Sequence, residues 1–283
     1  MLDTQRHSPV CVNDVDAEIE QLIACGPNQV ANAARYHFAA GGSRVRAQLG
    51  LDAAAALDLS RQACVSCALA PELLHNASLI HDDFQDGDRV RRGRPAVWSK
   101  YGKDTAILTG DFLISMAYAT IAHHRQPALA LRLIHETVMT TIAGQTDDLS
   151  ATQPAPEDYE DIAANKSGPL LALPVQLALV AADMGGQGVA RRVGRALSVA
   201  YQIFDDICDR NADLVHGATN ICLILEANGQ SRASAKVVAR TMAQASLSAA
   251  RRDANSLPQG TGTPFLSLAN HFETKLEDLL DAT

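Results

Sequence analysis

Aromatic residues make up only 4% of the 283-residue chain, with a single Trp. Strands recruit aromatic and β-branched side chains, whereas Ala and Leu, which dominate the apolar 47% here, lose little on entering a helix. The composition therefore favours helices over a β-rich architecture. Positive charge is also scarce. The formal net charge of −8 leaves no general surface for nucleic acid, although local basic patches can still hold an anion. Metal-binding cysteine pairs are missing: Cys64 and Cys67 form a CxxC, but no second pair stands at zinc spacing, and the six cysteines read as small apolar residues of a reduced protein. The first ten residues, MLDTQRHSPV, lack a basic-then-apolar leader. The most apolar stretch, Leu170 to Ala182, carries Pro174 and Gln176 and is too short to span a bilayer. A cytoplasmic chain without stable membrane insertion is the expectation.

What is present is helical periodicity. Apolar residues recur every three or four positions in Val15–Cys25, Val30–Phe38, Val45–Leu57, Cys64–Ile80, Thr105–His123, Ala128–Gly144, Ile162–Leu179, Val193–Ile207 and Ser231–Leu247. Short Gly and Pro punctuation separates them, and no linker or low-complexity run marks a boundary. The expected fold is all-α, one helical domain over residues 1–283.

One segment is said twice. Leu79-Ile80-His81-Asp82-Asp83-Phe84-Gln85-Asp86 is echoed by Gln202-Ile203-Phe204-Asp205-Asp206-Ile207-Cys208-Asp209, an apolar lead followed by DDxxD, 123 residues later (82 to 205). On a helix the first and last carboxylates of each triplet lie about 40° apart around the axis. Like charges at this spacing cost roughly a few tenths of a kcal/mol when exposed. Partial burial costs more unless cations neutralise them. Magnesium takes one or two such hard oxygens with water and phosphate, so two facing triplets would hold several ions bridged by a diphosphate. Basic residues stand nearby: Arg89, Arg91, Arg92 and Arg94 after the first triplet, Arg44 and Arg46 after Gly41-Gly42, and Lys166. Arginine forks suit phosphate oxygens.

These segments resemble the polyprenyl synthetase family, the trans-isoprenyl diphosphate synthases, from about residue 30 to 270. Gly41-Gly42-Ser43-Arg44-Val45-Arg46 is similar to the family's GGKRxR. His75 through Asp86 with Arg91-Arg92-Gly93 is similar to its first aspartate-rich region. Gly110-Asp111-Phe112-Leu113, Gly144-Gln145 with Asp148, Lys166-Ser167-Gly168 and Tyr201 through Asp206 follow in family order. The resemblance implies an isoprenoid-synthase helical bundle with a central cavity, acting as a homodimer on an allylic diphosphate and isopentenyl diphosphate. It implies that Asp82, Asp86 and Asp205 coordinate magnesium, three ions in all, with Asp83, Asp206 and Asp209 supporting. Arg91 and Lys166 would take the allylic diphosphate, and Arg46, His75 and Arg92 the isopentenyl diphosphate, with Arg44 and Gln145 in the same binding set. Lys166, Ser167 and Gln202 would face the developing cation. Ala77 and Ser78, small residues where bulk closes the tail pocket, imply a geranylgeranyl or longer product, with Leu73, Leu74 and Met116 as a lower floor.

The chain departs from the family where lysines are expected. Ser43 stands in GGSRVR, and His216-Gly217-Ala218-Thr219-Asn220 follows the second triplet without a lysine. Each lost charge-assisted contact is worth roughly 1.5–3 kcal/mol, or about one or two orders of magnitude in affinity. These departures keep two alternatives in view: a cyclase-like relative acting on a preformed allylic diphosphate, and a non-catalytic partner of a heteromeric synthase. Pro71 predicts a kink or a first-turn position in its helix. A His-Asp hydrolase built on His81-Asp82 lacks partner histidines at matching spacing.

Overall fold

The computed structural model describes residues 10–151 and 154–281. Among these residues twelve α-helices follow one another: α1 (Val12–Ala24), α2 (Asn28–Phe38), α3 (Val45–Ala56), α4 (Arg61–Gln85), α5 (Val97–Tyr101), α6 (Lys103–Ile121), α7 (Pro127–Ser150), α8 (Pro156–Ala181), α9 (Gln187–His216), α10 (Ile221–Ala227), α11 (Arg232–Asn255) and α12 (Thr263–Asp281). The all-α expectation holds. Among the described residues the exception is a ladder of two short strands, β1 (Val90–Arg91) and β2 (Arg94–Pro95), paired antiparallel. Arg92 and Gly93 turn between them, both at positive φ (50° and 72°), the backbone that a two-residue hairpin of matching twist requires.

The chain divides into two compact units. The first runs to Arg132 and takes in Leu177–Asp183; the second comprises Leu133–Gln176 and the chain from Met184 onward. In the first unit α4 is the central element, packed on α6 and α3. Leu69, Leu73, Leu74, Ala77 and Ile80 of α4 and Leu113, Met116, Ala117 and Ile121 of α6 are buried. Among the described residues, α4 is the one helix long and apolar enough to cross a bilayer, with 78% of its most apolar window buried inside the protein.

Pro71 lies inside α4, well past its first turn. It has no N–H to give the Cys67 carbonyl four residues back. Gly50 of α3 packs against that carbonyl: a Cβ there would lie 2.6 Å from the Cys67 oxygen. The missing donor and the missing Cβ together let the two helices meet backbone to backbone.

In the second unit α9 packs along α11. Ala235, Ala239, Ala243, Leu247, Ala250 and Ala254 of α11 are buried, as are Val193, Leu197, Ala200 and Ile203 of α9. Side chains this small permit close helix approach. Gly194 of α9 does the same against α8, where a Cβ would lie 2.6 Å from the Gly168 carbonyl.

Gly50→Ala places a methyl against backbone that cannot swing away. It is expected to cost about 1–3 kcal/mol, the range for overpacking, read as a fall in the urea midpoint at unchanged slope. An unchanged midpoint would show that α3 and α4 can separate freely.

Candidate active site

The first aspartate segment closes α4. Asp82 is half-buried and Asp86, the C-cap residue, is exposed, whereas Asp83 is 1% exposed. The helical repeat places Asp83 about 100° from Asp82, which turns it into the protein. There its Oδ1 accepts from Arg91 Nε at 2.6 Å and lies 2.6 Å from Arg91 Nη2. Its Oδ2 is buried without a hydrogen-bond partner among the described residues. Burial raises the Asp83 carboxyl, opposed by the Arg91 charge.

The second segment lies within α9 and repeats the plan. Asp205 is half-buried, Asp209 exposed and Asp206 1% exposed. Asp206 Oδ2 accepts from the Tyr159 hydroxyl at 2.8 Å and from the Ile221 backbone N–H at 2.7 Å, and Oδ1 accepts from Gln202 Nε2 at 2.9 Å. Burial still pushes Asp206 up to about 6, against these three donors. Asp205 is likewise pushed up to about 6, first by burial and then by the charge of Asp209, against a hydrogen bond from Tyr201. Asn220 completes the anchor. Its Nδ2 donates to the Asp206 carbonyl at 2.8 Å and to Asp213 Oδ2 at 2.7 Å, and its Oδ1 accepts from Cys222 N–H at the start of α10. Ala218 is exposed beside the left-handed Gly217, which ends α9.

Among the described residues no three His, Cys, Asp or Glu side chains converge on one point. Paired hard carboxylates on one helix edge, with a buried orphan oxygen behind the first pair, fit a hard divalent ion completed by water and substrate oxygens rather than by a protein cage.

The basic residues divide by unit. In the first, Arg44 is 10% exposed in its side chain, its Nε donating to Asp16 at 2.8 Å and its Nη1 lying 3.7 Å from Glu72. Arg46 is half-buried. Arg92 donates to the Gly41 carbonyl, and a Cβ on Gly42 would lie 2.9 Å from its guanidinium. His75 sits half-buried near Arg46 and Arg92. Loss of water, and then those charges, hold it well below its ordinary value. Ser43 is exposed. Ala77 is buried, and Ser78 donates to the His75 carbonyl at 2.9 Å. His81 lies over Gly110, 3.8 Å from Asp111. In the second unit Lys166 meets Asp148 at 2.5 Å, beside half-buried Ser167 and Gln145. Gly144 packs directly on the Asn165–Lys166 backbone.

Sequence reasoning passed over Glu72, Asn76, His37, Tyr159 and Asn220. Glu72 carried a signal: it precedes Asp83 by eleven residues, about 20° around the helix, so the two share one face.

A family model described as polyprenyl synthetase matches residues 27–219. A geranylgeranyl diphosphate synthase of Methanosarcina mazei is 31% identical over 234 residues, covering 74% of this chain and 71% of that protein. A chloroplastic geranylgeranyl pyrophosphate synthase of Capsicum annuum is 32% identical over 207 residues, which is 67% of this chain but only 56% of that protein. The solved geranylgeranyl pyrophosphate synthetase of the archaeon Geoglobus acetivorans superposes with a TM-score of 0.81 over 92% of this chain and 97% of that one. At 23% identity this last likeness concerns the fold.

His37 generates a pH test. It is buried, and loss of water, with Arg92, Arg91 and Arg44 adding, pushes it down to about 4 against its bond to Asn76. The unfolded imidazole takes a proton near pH 6.5, so this stability is complete above that pH and is lost as pH falls toward 4. Between pH 7 and 5, wild type is expected to lose about 1–2 kcal/mol more than His37→Gln. Parallel urea-unfolding curves at the two pH values would contradict this.

Proposed function

The chain belongs to the polyprenyl synthetase family, and we propose that it is a magnesium-dependent prenyltransferase condensing an allylic diphosphate with isopentenyl diphosphate. The observation that carries this is the pair of aspartate segments, each burying its middle carboxylate and presenting the flanking two. The allylic C–O bond breaks with its electron pair leaving on diphosphate. The isopentenyl double bond then joins the allylic carbon, and a proton is lost.

Asp82 and Asp86 of α4 would hold magnesium with Asp83 behind them, as would Asp205 and Asp209 of α9 with Asp206 behind, three ions in all, and the metal would supply Lewis-acid charge for the departing oxygens. Arg91 and Lys166 bind the allylic diphosphate. Asp148 already holds the Lys166 ammonium, fixing its direction before substrate arrives. Arg44, Arg46, His75 and Arg92 form the isopentenyl set, and His75, held neutral, can donate one ring N–H without adding charge. Gln202 is aimed by its bond to Asp206. With Lys166 and Ser167 it faces the developing cation, and Gln145 belongs to the substrate-binding set. Ala77 and Ser78 are small, and on that basis the product is geranylgeranyl or longer. The reading includes a homodimer in the cytoplasm.

A second reading, a cyclase-like enzyme using only a preformed allylic diphosphate, is favoured by exposed Ser43 and Ala218, which offer no cation. Purified protein with geranyl or farnesyl diphosphate, assayed with and without isopentenyl diphosphate, separates the two. Elongated product only in its presence, abolished by EDTA, is expected. Asp82→Ala and Asp205→Ala should each lower the rate by about 100-fold or more. Product formed without isopentenyl diphosphate would support the second reading instead.

A further inference from the structure

The loop at Gly41–Gly42 reaches α3 through Arg44, a left-handed N-cap (φ 49°) whose side chain makes no capping bond. The first N–H groups of a helix need acceptors, and the Arg44 side chain supplies none. The acceptor comes from another helix: Ala47 N–H donates to Glu72 Oε2 of α4 at 3.3 Å. Glu72 Oε1 accepts from Asn76 Nδ2 at 3.0 Å and faces Arg44 Nη1 at 3.7 Å. Asn76 Oδ1 in turn meets His37 Nε2 of α2 at 3.0 Å. Since Asn76 spends its N–H groups on Glu72, its oxygen is the acceptor and His37 Nε2 the donor.

Glu72 is 2% exposed. A carboxylate buried this deeply is tolerated only with such partners. What those partners share is the placement of positive charge. Glu72 ties the start of α3 to α4 one turn before His75. Arg92 hydrogen-bonds the Gly41 carbonyl at the other end of the same loop. A shift of α3 would therefore carry Arg44, Arg46 and the seat of Arg92 with it.

We propose that Glu72 is the positioning residue of the isopentenyl diphosphate half of the site, fixing the Gly41–Arg46 loop against His75 and Arg92 without touching substrate. This rests on the prenyltransferase reading above. Misplacement by about an ångström is enough to lose large factors in binding or rate.

The test is steady-state kinetics on both substrates, with melting temperatures, for Glu72→Gln and Glu72→Ala. Glu72→Gln keeps an oxygen for Ala47 N–H and removes the charge facing Arg44. It is expected to raise the KM for isopentenyl diphosphate about tenfold while the allylic KM stays within about twofold, and Glu72→Ala should raise the first further. An isopentenyl KM unchanged in both variants overturns the proposal. So do two KM values rising together in step with the melting temperature, the mark of a merely structural carboxylate. Should Glu72→Ala not fold, the near-isosteric Gln variant decides. Should wild type fail to condense the two substrates, the prenyltransferase reading falls. Calorimetric titration of isopentenyl diphosphate in EDTA then decides on Glu72: about tenfold weaker binding to Glu72→Gln supports it, and equal affinity, or none for either protein, overturns it.

Discussion

A carboxylate can be buried on a helix only where donors reach it, and the donors that reach the middle aspartates fix the segments around both aspartate motifs. Asp206 gathers Tyr159 of α8, Gln202 of its own helix and the first N–H of α10. Asp83 gathers the Arg91 fork from the hairpin after α4. Each middle residue is committed inward, and the helical repeat then leaves its two flanking carboxylates on the outer edge. The pairing of flanking carboxylates, on which any cation site depends, follows from the burial of the one between them.

The rest of the architecture keeps those helices where the anchors need them. In the first unit Gly50 and Pro71 bring α3 close to α4, which sets Glu72 against the first turn of α3. Along one face of α4, Glu72 and Asp83 each hold an arginine from a different segment, Arg44 and Arg91. In the second unit the alanine face of α11 and the contact of Gly194 with Gly168 let α8, α9 and α11 approach closely. Tyr159 of α8 reaches Asp206 of α9 on that account.

Most of this was legible as pattern. Nine of the helices follow apolar periodicity, since a repeat of 3.6 needs only the identity of each side chain. The short α10 escaped because seven residues carry barely two turns of signal, and its start is specified by Asn220 and Asp206 rather than by its own sequence. The hairpin Val90–Pro95 escaped because two-residue strands cannot alternate. The doubled DDxxD and the basic residues around it were readable, and the family likeness is shown. What sequence could not supply is which oxygen of a triplet faces in. The trans-capping role of Glu72 depends on the left-handed backbone at Arg44, which nothing in Gly-Gly-Ser-Arg specifies alone. Pro71 in the middle of α4 is the same kind of case, because the carbonyl it leaves without a donor faces the close approach of Gly50 from another helix.

The central claim is that the middle carboxylate of a triplet anchors the protein while its neighbour serves the cation. It is tested most directly by titrating magnesium into Asp205→Asn and Asp206→Asn by calorimetry, with diphosphate present, alongside their melting temperatures. The account predicts that Asp206→Asn lowers the melting temperature by several degrees, as loss of a buried charged acceptor should, with magnesium affinity within about threefold of wild type. Asp205→Asn should weaken magnesium about tenfold or more with little change in melting. Equal weakening of magnesium by both variants, with unchanged melting for Asp206→Asn, would contradict it.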